Sequence, residues 1–166
     1  MRETDDDLRR LQALLDRSYD AAGPHLQEVI TPDRRLDATE LCVRLTGMRL
    51  LVLATVTSDH RPVVGPVDGI FFRGAFHFGT SPNALRVIHI RRHPWISATH
   101  LPGEELSVTV RGTATELDMK MPTNADLRRT VLDTYTPTYG PDWESFFDAN
   151  LYVRIEAERM FTFSMG

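Results

Sequence analysis

Apolar residues recur along the chain with two different periods, and the change from one to the other divides it. Between Thr4 and Ala22, the residues Leu8, Leu11, Leu15, Tyr19 and Ala22 follow helical spacing. Thr4 is a candidate N-cap, and Asp5, Asp6 and Asp7 place negative charge in the first turn, where a helix end is positive. A helix over Thr4–Ala22 is therefore predicted, stopped by Gly23-Pro24 and followed through Arg35 by a loop containing Pro24 and Pro32. A second helix starts at Asp37, with Glu40 three residues on completing a capping box, and ends near Gly47.

From Arg49 onward the pattern becomes that of strands. Arg49–Thr57 reads as a buried strand and Ser58-Asp59-His60 as a turn. Pro62–Phe72 is the hairpin partner, Arg73-Gly74 a second turn, and Ala75–Gly79 a short third strand. Ser81-Pro82-Asn83 opens a helix that runs to about Arg92, where His93-Pro94 ends it. Two more strands follow, Trp95–Leu101 and the long alternating Leu106–Leu117. Helices over Asn124–Thr136 and Pro141–Phe147 precede a last strand, or bent strand pair, at Leu151–Ser164. This order is mainly β, of the α+β kind, and suggests a small antiparallel barrel with helices at its rims. No G-x-G-x-x-G occurs and strands and helices do not alternate, which excludes a Rossmann sheet. The division expected is an N-terminal helical extension over 1–35 and a barrel domain over 36–166.

Composition narrows this further. A length of 166 residues with 42% hydrophobic and 25% charged side chains suits one folded domain. The most apolar run, Leu50–Val56, is far short of the ~20 residues of a membrane span. The opening Met1-Arg2-Glu3-Thr4 has no apolar stretch behind it, so a cytoplasmic protein is expected. The net charge of -4 argues against a general nucleic-acid partner. Of the 19 basic residues only Lys120 is a lysine, so any anion site must rest on arginine forks and backbone amides. The single Cys42 cannot form an internal disulfide and reads as a buried, inert thiol inside the second helix.

Few residues fall into a pattern with chemistry in it. The six histidines show no metal-ligand spacing: His89 and His93 are four apart, but in the basic run His89-Ile90-Arg91-Arg92-His93. No metal site is expected, and no G-x-S-x-G is present. The junction Phe78-Gly79-Thr80-Ser81-Pro82 stands out, because hydroxyls and backbone amides there face a helix start that can hold a phosphate. Arg86, one turn into that helix, can add a charged hydrogen bond; the plainer reading makes Ser81 an ordinary N-cap before Pro82. The second unusual element is Arg61-Pro62-Val63-Val64-Gly65-Pro66-Val67-Asp68-Gly69. Two prolines and two glycines in one strand indicate free backbone groups along an edge, open to a flat ligand or simply an edge strand with a bulge.

These elements, in this order, resemble the pyridoxamine 5′-phosphate oxidase-like superfamily, the FMN-binding split β-barrels. The resemblance rests on the hairpin Leu53–Pro62 with Pro66-Val67-Asp68-Gly69, on Phe78–Pro82, and on Ile90-Arg91-Arg92-His93-Pro94-Trp95-Ile96-Ser97. It covers about residues 40–118 well and fits Tyr152–Phe163 more loosely. It implies a six-stranded antiparallel split barrel that pairs into a homodimer with flavin sites at the subunit interface. By position it implies Thr80, Ser81 and Arg86 at the cofactor phosphate and Val64, Pro66 and Val67 against the ring. Trp95, His100 and Trp143 are candidates to reach the site from the partner chain. Many relatives carry Ser-x-Lys and a later Asn in the phosphate helix, where this chain has Ala84-Leu85-Arg86 and His89. The long signatures of the pyridoxine-pathway oxidase itself are absent.

Two functional classes follow. One is an oxidoreductase using FMN, or a deazaflavin coenzyme, to pass a hydride to a small molecule. The other is a non-catalytic split-barrel dimer that carries a flavin, deazaflavin, haem or other ligand. Outside the resemblance, the first helix must bury its leucines against either its own barrel or the partner, and an arm reaching to the partner is the favoured expectation. Trp143 and Phe146-Phe147 read as core, with a cap over the cofactor pocket as their other use.

Overall fold

The computed structural model describes residues 2–165. Three helices come first: α1 (Asp5–Asp20), α2 (Pro24–Val29) and α3 (Ala38–Arg44). Strands β1 (Met48–Val56), β2 (Pro62–Phe72) and β3 (Ala75–Thr80) precede α4 (Leu85–Arg92). Then come β4 (Trp95–Gly103), β5 (Leu106–Leu117), α5 (Ala125–Tyr139), α6 (Trp143–Asp148) and β6 (Leu151–Ser164). The six strands close into an antiparallel barrel in the order β1-β2-β3-β6-β5-β4. Closure depends on a short seam, in which Val52–Ala54 of β1 meet Ser97–Thr99 of β4. Both capping boxes form, Thr4 with Asp7 and Asp37 with Glu40.

Several local expectations change. The expected loop before Arg35 contains α2 and a 3₁₀ turn over Pro32–Arg34, each started by its proline, which loses nothing at a first helical position. Ser81-Pro82-Asn83 does not open α4. It forms a separate turn, with the Ala84 amide donating to the Ser81 carbonyl, and the helix starts after Ala84. Helix α5 runs through Pro137 to Tyr139, ending at Gly140 with φ 88°. The segment Leu151–Ser164 is one strand, with a bulge opposite the step from Arg111 to Gly112. A Cβ on Gly112 would collide with the Glu156 carbonyl, so only glycine fits the strand there.

Because β3 is only six residues long, it leaves free edges on both neighbours. It pairs with β2 at residues 69–72 and with β6 at 151–154. Beyond Arg154 the β6 edge has no strand beside it, and α1 covers it instead. Ser18 Oγ accepts from the Met160 amide at 3.0 Å, and Tyr19 Oη accepts from the Thr162 amide at 2.8 Å. The same phenol donates to the Thr162 carbonyl or hydroxyl, both at 2.8 Å, and the Leu36 amide donates to Thr162 Oγ1. Leu11, Leu14, Leu15 and Tyr19 join the apolar cluster that fills the barrel. The apolar face of α1 is thus buried on its own barrel, and the expected partner arm is replaced by an edge cover.

A second cluster lies outside the barrel, where α5 and α6 cover Ile70, Phe72 and Tyr152. His77 is buried close by, edge-on to Phe72 with ring centres 6.1 Å apart and Nδ1 donating to the Ala75 carbonyl. Burial, and then the Arg154 guanidinium, push its imidazole down to about 3, against smaller pulls from the Ala75 and Ile70 carbonyls. Cys42 is buried in α3, and burial followed by Glu3 and Asp7 pushes its thiol up to about 12.

Removing the Tyr19 hydroxyl strands the Thr162 amide in a buried place, so Tyr19→Phe is expected to lower unfolding free energy by about 1–3 kcal/mol in urea melts. For His77, the native ring stays neutral while the unfolded ring takes a proton below its ordinary 6.5. Its contribution is therefore complete above that pH and is lost as pH falls toward 3. The slope from this one group approaches about 1.4 kcal/mol per pH unit. Unfolding free energies measured across this range should fall less steeply in His77→Gln than in the unaltered protein.

Candidate functional site

The other edge freed by the short β3 is on β2, from Pro62 to Asp68. Neither Pro62 nor Pro66 can donate to a ladder, so both nitrogens must face this open edge rather than β1. The edge is therefore half silent by composition, and the end of β3, the following turn and α4 gather beside it.

Helix α4 is fixed on two sides. His89 Nδ1 lies 2.9 Å from Thr55 Oγ1 on β1, and Arg91 holds Glu116 on β5 through two bonds of 2.7 and 2.9 Å. This sets Arg86, the second residue of the helix, over β2: its Nη2 lies 3.6 Å from where a Cβ on Gly65 would be. Among the described residues the Arg86 guanidinium has no hydrogen-bond or ion-pair partner. His89 and His93 do not converge, since His93 lies against His60, and no cluster of three metal-ligating side chains occurs among the described residues.

Arg86 borders a cleft of about 640 Å³ whose lining includes Thr80, Ser81 and Val67. Four of the six sequence-derived site residues therefore meet. Thr80 is nearly buried, and Val67 is part of the barrel core with only its edge on the cleft. Ser81 Oγ accepts from the Asn83 amide at 3.3 Å, a long bond that leaves the hydroxyl proton free to donate. Val64 and Pro66 do not line the cleft but stand on the exposed face of β2, Val64 being 62% exposed. Of the residues considered as reaching in from a partner, Trp143 lines the cleft of its own chain. His100 is buried and donates from Nδ1 to the Leu50 carbonyl, and Trp95 borders a different cleft.

The far wall of the cleft is an aromatic tier. Tyr135 and Trp143 are nearly parallel, with ring centres 4.7 Å apart, and Tyr139 stacks beside both. Arg128 clamps α6 to α5 through Glu144 at 2.7 Å and Asp148 at 2.6 Å. The tier also explains the continuation of α5 through Pro137: that residue gives up one helical bond, and the stacked rings hold the last turn in place. Sequence reading missed Tyr135, Tyr139 and Tyr152, although the four-residue steps 135, 139 and 143 were visible. It also missed Asp68, which lines the same cleft. Burial holds the Tyr135 and Tyr152 phenols above their ordinary range and Asp68 adds to this in both, while Arg128 opposes it at Tyr152.

The cleft thus has a cation with hydroxyl donors, a flat aromatic wall and one carboxylate, which suits a ligand with a planar ring and an anionic group. No protein-family description matches the chain, and a search of curated proteins finds no match. Solved structures do match. The conserved hypothetical protein Rv2991 from Mycobacterium tuberculosis superposes with a TM-score of 0.64 at 21% identity, over 81% of this chain and 88% of that one. A FAD-binding protein from Mesorhizobium loti gives 0.57 at 22%, over 78% and 93%. An F420 reductase gives 0.54 at 18%, over 70% and 91%. The chain shares the fold of these structures. The closed six-stranded antiparallel barrel is the one expected from the pattern of the sequence. No helix among the described residues is long and apolar enough to cross a membrane.

Removing the Asp68 charge should relax the cleft's hold on its phenols. In Asp68→Asn, ultraviolet titration is expected to show the ionisation of Tyr135 and Tyr152 shifted to lower pH, an effect assigned by comparison with the Tyr135→Phe and Tyr152→Phe variants. An unchanged titration would place Asp68 away from them.

Proposed function

We propose that this split barrel binds a flavin nucleotide, FMN or its deazaflavin analogue, and works as an oxidoreductase on a small molecule. The observation that carries the reading is the unpartnered Arg86 guanidinium beside Thr80 and Ser81 at one end of an aromatic-walled cleft. An arginine held in place with no internal anion is ready for a phosphate, and the two hydroxyls supply further donors. The ring has two flat surfaces available, the exposed β2 face at Val64 and Pro66 and the tier that includes Trp143. Neighbours whose names record FAD binding and F420 reduction support the cofactor class.

When bound, the flavin supplies hydride transfer, which no side chain here provides. The chain's own part is positioning. Arg86 neutralises the phosphate, and the rings of α5 and α6 wall one side of the cleft. Asp68, in the same cleft, disfavours a second anion there. The outer face of β1, β2 and β4 carries Leu50, Val52, Val64 and Leu101, each at least half exposed. Such a contiguous apolar strip supports a homodimer, joined through the sheet face next to the cleft.

Titration with FMN and with a deazaflavin coenzyme, followed by absorption and by reduction of the bound ring, tests the reading. Binding of one of them with reversible reduction is expected, and Arg86→Ala should weaken it by about 1.5–3 kcal/mol. A protein that binds neither overturns the proposal. Binding without turnover leaves the carrier reading in its place.

A further inference from the structure

A second cleft, of about 870 Å³, lies at the Pro62 end of β2. Its lining holds three arginines, Arg17 of α1, Arg111 of β5 and Arg159 of β6, with one carboxylate, Glu158. Arg111 and Arg159 are direct cross-strand partners, a like-charged pairing that destabilises a sheet. The bulge creates it. Glu158 is the extra residue of β6, so Arg159 rather than a carboxylate comes to stand opposite Arg111. None of the three guanidiniums has an ion-pair partner among the described residues, although Glu158 is beside them. Arg111 instead lies 5.7 Å over the Phe161 ring. The remaining wall is mostly apolar, with Ala54, Val56, Pro62 and the exposed Trp95, and adds the hydroxyls of Thr55 and Ser97.

We infer that this cleft is a binding site for a small phosphate monoester with an aromatic or aliphatic body. Three cations and one anion leave a net positive charge of two, which matches the dianion of a monoester. Arginine forks suit its terminal oxygens, and Trp95 offers a flat surface to the body. The cost of opposing two cations is relieved when the dianion sits between them. The site does not depend on the flavin reading, since no residue is shared between the two clefts.

The test uses the full chain carrying Trp143→Phe, so that Trp95 is the one tryptophan left to report. Phenyl phosphate should quench or shift Trp95 emission, and should bind at least roughly tenfold more tightly than phenol or benzoate. Arg111→Gln and Arg159→Gln should each weaken it roughly tenfold or more, and added sodium chloride should weaken it further. Thermal melts guard against misfolding. Each single variant should melt at or above the parent temperature without ligand, because the repulsion is gone, and should lose the rise in melting temperature that phenyl phosphate gives the parent. Absence of a Trp95 response, equal binding of phenol, or arginine variants that bind and melt like the parent would each overturn the inference.

Discussion

Four hydrogen-bonding groups on α1 and β6 hold the rest of the structure in register. Past Arg154, β6 leaves its neighbour β3 and would expose a bare edge. Ser18 and Tyr19 supply what a strand would have supplied, a hydroxyl for the Met160 amide and a phenol that both accepts from and donates to Thr162. A sheet edge of this kind is a template for unwanted pairing unless something covers it. Covering it with a helix also gives the helix its reason to exist, because the same contact buries Leu11, Leu14 and Leu15 in the barrel cluster. Polar satisfaction and apolar burial are here one event.

The opposite edge, on β2, has had different treatment. Among the described residues nothing pairs with Pro62–Asp68 on that side, and two of its residues lack the donor that pairing requires. What gathers there is the turn after β3 and the start of α4, with a guanidinium left without an internal partner. The short third strand therefore accounts for both halves of the molecule: a closed edge that stabilises, and an open one beside which a ligand cleft can form. The α5–α6 pair completes the cleft from outside the barrel, which is why it brings an apolar cluster of its own.

Strands and their order were legible in the sequence, because alternation and turn residues act over a few positions. All six strands appear where the pattern predicted them, within one residue except at the end of β4, which runs two residues on to Gly103. Proline was the main source of error. Pro24 and Pro32 were placed in a loop, yet each begins a helical turn; Pro82 read as a helix start, yet belongs to a tight turn; and the helix bounded at Thr136 continues through Pro137. The residue looks the same in each case, and only the neighbours decide. Within the site, Thr80, Ser81 and Arg86 were legible because they adjoin one helix start. Asp68 and the tyrosines were not, since their meeting depends on how α5 and α6 settle on the barrel. The destination of α1 was hidden for the same reason, its partner being 143 residues away.

That separation has a consequence for how the chain is made. The helix that leaves the ribosome early is completed by the strand that leaves late, so the leucine face of α1 stays uncovered through most of synthesis. Contacts of such long range close slowly, and an uncovered apolar helix is open to association until they do. The protein's most exposed period is therefore its translation, and it ends only when Thr162 arrives at Tyr19.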